Sequence, residues 1–308
     1  MKNTPAGMNS NATPPNDFSL EELINGLDDS GYVVDTNLAV PLHLMTELGR
    51  PLLLEGDAGV GKTELAAALA RYLDTKLIRL QCYEGLDAHA AIYEWNYQRQ
   101  LLEIRLHQSE LEAGRAHEVD LYREDLLLKR PLLQSITEEI RPVLLIDEID
   151  RADEEFEAFL LEILSDFQIT IPEFGTIKAT VRPYVILTSN GTRELSDALR
   201  RRCLYAFVDY PTAEREAIIL AKHIPDMDEK LIAQIVKLLA KLRLMDLRKR
   251  PGVAEAIDWA QALLCLDVKD LEAVASSANK DQVEQTLACL LKTREDQNRI
   301  NLNHLLRA

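Results

Sequence analysis

Short apolar runs alternate with amphipathic segments over the first two thirds of the chain. The apolar runs are only a few residues long, which is typical of buried strands, and they lie at 51–54, 76–81, 143–146 and 184–188. The segments between them repeat apolar residues at helical spacing, most clearly at 37–48, 64–73 and 156–167. Strands that alternate with helices predict a parallel α/β sheet with helices on both faces.

A long insertion, residues 83–141, interrupts this alternation after the second strand. Within it, Leu121 to Leu128 has a helical pattern. Tyr93, Trp95 and Tyr97 occupy alternate positions, so they are interpreted either as a buried strand face or as contacts for a partner.

The remaining segments divide the chain into domains. Residues 168–180 hold two short β-type runs around a Phe-Gly turn and predict a hairpin. Strand signals stop at Pro211, and the helices expected beyond it lie at 212–223, 228–245, 253–266, 268–277 and 281–293. We therefore predict an α/β domain at 18–210 and a small α-helical domain at 211–308. Residues 1–17 contain almost nothing to bury, which predicts a disordered tail.

Composition and charge limit the partners and the cellular location expected for this protein. The chain has 308 residues and a formal net charge of −16, which opposes nonspecific binding to a phosphate backbone and makes nucleic acid a poor first candidate for the partner. No apolar run approaches 18 residues, and the first residues lack a secretion signal. We expect a cytoplasmic protein without membrane insertion.

The cysteines and histidines do not predict a metal centre. Cys82, Cys203, Cys265 and Cys289 are far apart and form no C-x-x-C pair, so each is expected to be a small core residue. The six histidines are not clustered, and a zinc site is not expected.

The strongest chemical signal directly follows the first apolar strand. It matches G-x-x-x-x-G-K-[ST] at every fixed position and consists of Gly56, Asp57, Ala58, Gly59, Val60, Gly61, Lys62 and Thr63. Glycines let successive backbone N–H groups turn onto one anion, and the following helix directs its positive dipole end at the same point. Lys62 would reach the β- and γ-phosphates, and the Thr63 hydroxyl would hold Mg²⁺.

A second signal is the acidic pair Asp147 and Glu148, which ends the strand at 143–146. In a parallel sheet the carboxyl ends of the strands share one edge, so this pair should lie beside the phosphate-binding loop. Asp147 would complete the Mg²⁺ site with Thr63, and Glu148 would polarise the attacking water. The alternative for such a pair by itself is a helix cap with a solvated charge.

Two further signals lie downstream. Asn190 ends the third long strand and could orient the lytic water or contact the γ-phosphate, although an Asn before Gly191 is also a common turn residue. Arg200, Arg201 and Arg202 follow a predicted helix. They could supply a charge to a neighbouring subunit's site or form an ordinary solvated helix end.

Taken together, the phosphate-binding loop, VLLIDEID at 143–150, VILTSN at 185–190 and ALRRRC at 198–203 resemble an AAA+ ATPase in order and spacing. The helical tail resembles the lid of that superfamily. The insertion and the hairpin resemble the MoxR family, and EILSDFQITIPEFGTIKA and RKRPGVAEAIDWA resemble its CoxD-like branch, which is associated with carbon monoxide dehydrogenase maturation.

The resemblance implies specific roles. Gly56 to Thr63 match the Walker A loop, Asp147 and Glu148 the Walker B pair, and Asn190 the sensor-1 position. Either Arg201 or Arg202 matches the arginine that acts in a neighbouring subunit. The sensor-2 arginine would fall on Ala254 if Trp259 is aligned with the usual lid aromatic, which leaves Arg250 as a candidate.

The resemblance also implies a function. It predicts an ATPase that uses ATP and Mg²⁺, assembles as a hexameric ring, and acts with a von Willebrand factor A-domain protein on a client metalloenzyme. A nucleic-acid motor or restriction-type NTPase subunit is the alternative, and a small-molecule kinase is a third class. The acidic charge disfavours the motor, and the helical tail disfavours the kinase.

Overall fold

The structure is a computed structural model that describes residues 18–112, 120–274 and 280–300; the predicted tail lies outside these ranges. The strands are β1 (Leu52–Glu55), β2 (Leu77–Gln81), β3 (Tyr93–Trp95), β4 (Leu127–Lys129), β5 (Val143–Asp147), β6 (Gln168–Ile171), β7 (Gly175–Lys178), β8 (Tyr184–Ser189) and β9 (Leu204–Phe207). The helices of the first domain are α1 (Leu20–Asp29), α2 (Thr36–Leu48), α3 (Lys62–Tyr72), α4 (Ala88–Ile92), α5 (Tyr97–Glu112), α6 (Pro131–Thr137), α7 (Glu154–Asp166) and α8 (Asp197–Arg202).

Five strands form one parallel sheet in the spatial order β2-β5-β8-β1-β9. This confirms the predicted fold class. The central strands are apolar throughout because both of their faces are covered: Leu52 and Leu54 pack with α1, α2 and α3, whereas Leu53 packs on the opposite face with the α7 side. Strand β9 was not predicted, although it lies within the apolar run at 203–208; it is an edge strand in which only Ala206 is buried.

The predicted helix at Leu121–Leu128 is wrong. That segment forms a 3₁₀ turn and then β4, which pairs antiparallel with β3 so that Leu127 lies opposite Trp95. Cross-strand pairing with β3 outweighs the local helical spacing. Tyr93 and Trp95 are buried on β3, whereas Tyr97 begins α5 with 63% of its surface exposed. The alternating aromatics are therefore a buried strand face that ends at Trp95.

The predicted hairpin is confirmed as β6 and β7, which pair antiparallel across the turn from Ile171 to Gly175. Ile169 and Ile171 belong to the same core cluster as Tyr93 and Trp95. The hairpin and the insertion thus share one hydrophobic core on one face of the main sheet.

The rest of the described chain is helical, as predicted. Its helices are α9 (Ala213–His223), α10 (Glu229–Leu244), α11 (Val253–Cys265), α12 (Leu271–Val274), α13 (Lys280–Thr286) and α14 (Arg294–Arg299). The helix expected at 281–293 instead ends at Thr286, where a 3₁₀ turn follows, and the helix expected at 268–277 is described only as α12. Cys265 is exposed at the end of α11, so its predicted core position is wrong. No helix within the described ranges is both long enough and apolar enough to span a membrane.

A buried ion pair joins three parts of this helical domain. Arg243 donates to both carboxylate oxygens of Glu216, at 2.9 and 2.6 Å, and its Nε donates to the Pro251 carbonyl at 2.9 Å. The side chains of Glu216 and Arg243 are only 1% and 11% exposed. The pair therefore ties α9 and α10 to the segment that leads into α11.

We expect Arg243→Met to lower the free energy of unfolding by about 3–5 kcal/mol, because it leaves the Glu216 carboxylate buried without a counter-ion. Urea denaturation measures the loss. Lys230→Met is the matched control, since it removes a cation from the exposed Lys230–Asp270 pair, and exposed pairs contribute little. Equal, small effects of the two substitutions would contradict the assignment.

Candidate functional site

A cavity of about 410 Å³ lies between the carboxyl edge of the main sheet and helices α9 and α11. Its lining combines the predicted phosphate-binding loop, the ends of β5 and β8, and residues of both domains. These include Tyr32, Val33, Gly59, Lys62, Thr63, Asp147, Glu148, Asn190, Arg215, Ile219, His223, Ala254 and Ile257. The structure thus brings together three signals of the sequence, namely the phosphate-binding loop, the acidic pair and Asn190.

The loop from Gly56 to Thr63 wraps around the Lys62 side chain. Lys62 Nζ donates to the carbonyls of Gly56 and Asp57 at 2.7 and 2.8 Å and to Asn190 Oδ1 at 2.9 Å. Gly59 and Gly61 have φ of +83° and +99°, which glycine adopts without strain. A Cβ on Gly56 would lie 2.2 Å from the Val208 carbonyl oxygen, so only glycine fits where β1 meets the β9 end.

The ammonium group of Lys62 lies among these three hydrogen-bond acceptors. Burial lowers the pKa of Lys62, and the carboxylates of Asp150 and Asp147 partly offset that effect. Helix α3 begins at Lys62, so its free N–H groups and positive dipole end face the same space. The concave backbone of the loop, the Lys62 ammonium and the N-terminus of α3 all favour negative charge at this place, so together they fit a polyphosphate.

Asp147 lies beside Thr63, as predicted. Thr63 Oγ1 is 3.0 Å from Asp147 Oδ1, and Thr188 Oγ1 donates to the same oxygen at 2.5 Å. A hydroxyl and a carboxylate at the edge of a phosphate site form the oxygen-rich donor set that Mg²⁺ prefers, with phosphates and water completing its shell. Thr63 and Asp147 therefore fit a magnesium ion that arrives with the nucleotide.

Glu148 follows Asp147 in an unusual backbone conformation, with φ of 55° and ψ of 50°. A left-handed conformation is costly for a residue other than glycine and is concentrated at functional sites. The Glu148 N–H donates to Thr188 Oγ1 at 2.9 Å. Its carboxylate accepts from Gln81 Nε2 at 3.1 Å and is 3.1 Å from Arg151 Nε. The side chain is held at the cavity wall, where a water beside the nucleotide could be polarised.

Asn190 is positioned by a residue that sequence reasoning missed. Asp150 is 4% exposed and accepts from the backbone N–H groups of Asn190 and Thr192 and from the Thr192 hydroxyl. Burial alone would raise the pKa of Asp150, but these hydrogen bonds outweigh it and lower the pKa below its usual value. The sequence does contain a signal for Asp150, because it is the second Asp of the run IDEID at 146–150. Its spacing alone, however, does not distinguish this role from that of a helix cap.

The three arginines lie in the last turn of α8 rather than after the helix, and none lines the cavity of this chain. Arg200 is 3.5 Å from Glu55. Arg202 Nε donates to Ser165 Oγ on α7 at 2.8 Å. Within the described ranges, Arg201 is exposed and makes no side-chain hydrogen bond or ion pair. None of the three guanidiniums therefore belongs to the cavity of its own chain.

The helical domain contacts the phosphate-binding loop through its backbone. The Val253 N–H donates to the Gly59 carbonyl at 2.8 Å, and a Cβ on Gly252 would lie 2.6 Å from the same oxygen. Ala254 lines the cavity, whereas Arg250 is exposed and outside the lining. The structure therefore does not bring the proposed sensor-2 candidate to the site.

Arg215 is a second residue that the sequence did not indicate. From α9 it donates to the Val33 carbonyl at 3.1 and 2.7 Å and lies 3.3 Å from Asp35. Tyr32 is buried next to this contact, and burial raises its pKa to about 12. Tyr32, Val33, Ile219 and Ile257 also line the cavity, and this apolar part of the lining suits a planar base.

Comparisons with known proteins agree with this geometry. The sequence profile of the AAA domain, dynein-related subfamily, matches residues 51–203. An uncharacterized protein of Staphylococcus aureus (strain bovine RF122) is 30% identical over 227 residues, which cover 71% of this chain and 78% of that protein. A Staphylococcus epidermidis relative, also uncharacterized, is 28% identical over 235 residues, or 74% of this chain and 80% of that protein.

Solved structures are more distant. The RuvB Holliday junction branch migration motor of Thermotoga maritima is 18% identical, with a TM-score of 0.43, over 85% of this chain and 68% of that chain. At that score the likeness says nothing about function here. The family assignment depends on the matched domain profile, on the relatives, and on a parallel sheet whose edge carries a phosphate-binding loop and an acidic pair. The chain belongs to the AAA family of ATPases, with a nucleotide-binding domain of the dynein-related subfamily.

Proposed function

We propose that this protein is a MoxR-type remodelling chaperone that hydrolyses ATP in a hexameric ring. It acts with a von Willebrand factor A-domain partner on a client metalloenzyme. The observation that carries the hydrolysis step is the contact of Lys62 with Asn190 and of Thr63 with Asp147, with Glu148 at the same cavity wall. The proposal of a client is supported by the resemblance of the insertion and the hairpin to that family.

The residues divide the reaction among them. Lys62 and the N–H groups of the loop would hold the β- and γ-phosphates, and Thr63 and Asp147 would hold Mg²⁺, which would supply charge stabilisation at the phosphates. Glu148 orients a water and accepts its proton as the water oxygen attacks the γ-phosphorus. The bond between the γ-phosphorus and the β–γ bridging oxygen breaks, and ADP and phosphate leave. Asn190 accepts a hydrogen bond from Lys62 at Oδ1 and lines the same cavity, where its amide would contact the γ-phosphate or orient the water.

The arginines provide the test of a shared site. We expect the ATPase rate per subunit to rise with protein concentration, and Arg201→Ala/Arg202→Ala to lower it by about 10³-fold or more, as for other arginines supplied in trans. ATP binding should persist, because neither side chain lines the cavity of its own chain.

Mixing two inactive variants makes this test specific. The Arg201→Ala/Arg202→Ala chain retains Glu148, whereas the Glu148→Gln chain retains both arginines. In a mixed ring, some sites combine Glu148 of the first variant with Arg201 and Arg202 of the second variant, and these sites are complete. The mixture should therefore be more active than either variant alone. A mixture that is no more active than its components, or a rate independent of concentration, would contradict the ring.

The chaperone role has a separate test. The Glu148→Gln protein, purified from its native cells in the presence of ATP, should retain a von Willebrand factor A-domain protein and a metalloenzyme, identified by mass spectrometry. Lys62→Ala is the control, since it should not bind ATP and should release both. Recovery of neither protein, together with strong stimulation of the ATPase by DNA, would instead favour a nucleic-acid motor.

A further inference from the structure

Two polar side chains on β2 contact the acidic pair at the end of β5. Arg79 and Gln81 are two residues apart and therefore lie on the same face of the strand, which pairs with β5 so that Gln81 is opposite Asp147. Arg79 Nη2 is 2.5 Å from Asp147 Oδ2 and 2.7 Å from Gln81 Oε1. No pattern in the sequence singled out Arg79.

Asp147 depends on Arg79 for its counter-ion. The Asp147 side chain is 4% exposed, and a buried carboxylate needs a paired cation. Lys62 Nζ is instead bonded to two carbonyls and to Asn190. Arg79 is the one cation within 4 Å of Asp147 among the described residues.

The two sides of this pair differ in their access to water. The Arg79 side chain is 51% exposed, so its guanidinium can leave Asp147 and be hydrated without moving the strand. Asp147 is held in place by the Thr188 hydroxyl on its other oxygen, Oδ1, and by the Thr63 hydroxyl, which is 3.0 Å from Oδ1 and 3.3 Å from Oδ2. The carboxylate stays fixed while its cation can be exchanged.

We propose that Arg79 is the resting counter-ion of Asp147 and that it competes with the metal of the metal–nucleotide complex for this carboxylate. Arg79 pairs with the Asp147 carboxylate and orients it before the nucleotide arrives, and it reduces binding of the metal at the empty loop. The inference rests on the proposed Mg²⁺-dependent site at Thr63 and Asp147. In this proposal Arg79 is a positioning residue that determines how much metal the enzyme needs to occupy its site.

The test is a titration of Mn²⁺, followed by the electron paramagnetic resonance signal of the free ion, at saturating ADP. We expect Arg79→Met to bind Mn²⁺ about tenfold more tightly than the wild type, since one charge-assisted hydrogen bond no longer has to be broken. Arg79→Lys should fall between them. Lys76→Met is the matched control, because it removes the same charge next to β2 from a pair with Glu138 rather than Asp147.

Unchanged or weaker Mn²⁺ binding by Arg79→Met would overturn the inference. A wild-type protein that binds no Mn²⁺ with ADP would contradict the proposed nucleotide site itself. Thermal unfolding gives a second readout: Mn²⁺ with ADP should raise the midpoint more in Arg79→Met than in the wild type. The two variants of Arg79 keep the test valid if one of them folds poorly.

Discussion

Glu148→Gln is expected to reduce steady-state ATP hydrolysis by about 10²- to 10⁴-fold while ATP binding is retained. The amide is the same size as the carboxylate but cannot accept the proton of the attacking water. Because Gln and Glu meet the same strain at φ of 55°, the backbone contribution cancels in the comparison. Phosphate release measures turnover, and equilibrium binding of a fluorescent ATP analogue measures affinity.

Glu162→Gln is the matched control for this substitution. Glu162 is an exposed carboxylate on α7 and is not in the cavity lining. The Glu162→Gln substitution removes the same charge from outside the cavity, so turnover should stay close to that of the wild type. Turnover of Glu148→Gln within a few fold of the wild type would exclude Glu148 as the base.

Gly252→Ala should lower kcat/KM for ATP by about 10²-fold, the scale expected when a site is displaced by roughly an ångström. Alanine tolerates the φ of −87° at this position, so the effect does not come from backbone strain. The added methyl group would lie 2.6 to 2.8 Å from Gly59 backbone atoms, which cannot move without disturbing the phosphate-binding loop. The start of α11 must therefore shift, and the Val253–Gly59 hydrogen bond is lost.

The control must separate this clash from a weaker helix cap, because Gly252 is also the N-cap of α11. Asp228→Ala removes the N-cap side chain of α10, whose carboxylate accepts from the Lys230 N–H at 2.8 Å. It should destabilise the helical domain by about 1 kcal/mol and leave kcat/KM nearly unchanged. If Gly252→Ala retains kcat/KM within threefold, the backbone contact does not position the site.

Local sequence predicted much of the catalytic edge because the chemistry there is encoded in contiguous runs. The phosphate-binding loop, the acidic pair and Asn190 each follow an apolar strand, and parallel strands bring their carboxyl ends to one edge. The contacts of Lys62 with Asn190 and of Thr63 with Asp147 confirm that these signals meet.

One other feature was predicted wrongly, and another was not predicted. The segment Leu121–Leu128 has helical spacing, yet pairing with β3 makes its end a strand. Strand β9 lies within an apolar run at 203–208 that was an available local signal, and its pairing with β1 identifies it as a half-exposed edge strand. At 121–128 a partner distant in sequence outweighed the local preference, whereas at β9 the local preference and the pairing agree.

By itself, the sequence determined the α/β class with its helical tail, the phosphate-binding loop, and the residues at the ends of β5 and β8. These follow from hydrophobic period and from motifs in which every member is close along the chain. Only the tertiary structure decided that Arg79 pairs with Asp147, that Asp150 holds the Asn190 turn, and that Gly252 rather than Arg250 meets the loop. Each of these contacts joins residues that are 40 or more positions apart in the sequence. Its strength depends on how deeply the two groups are buried and how closely they approach, and a local sequence pattern contains neither quantity.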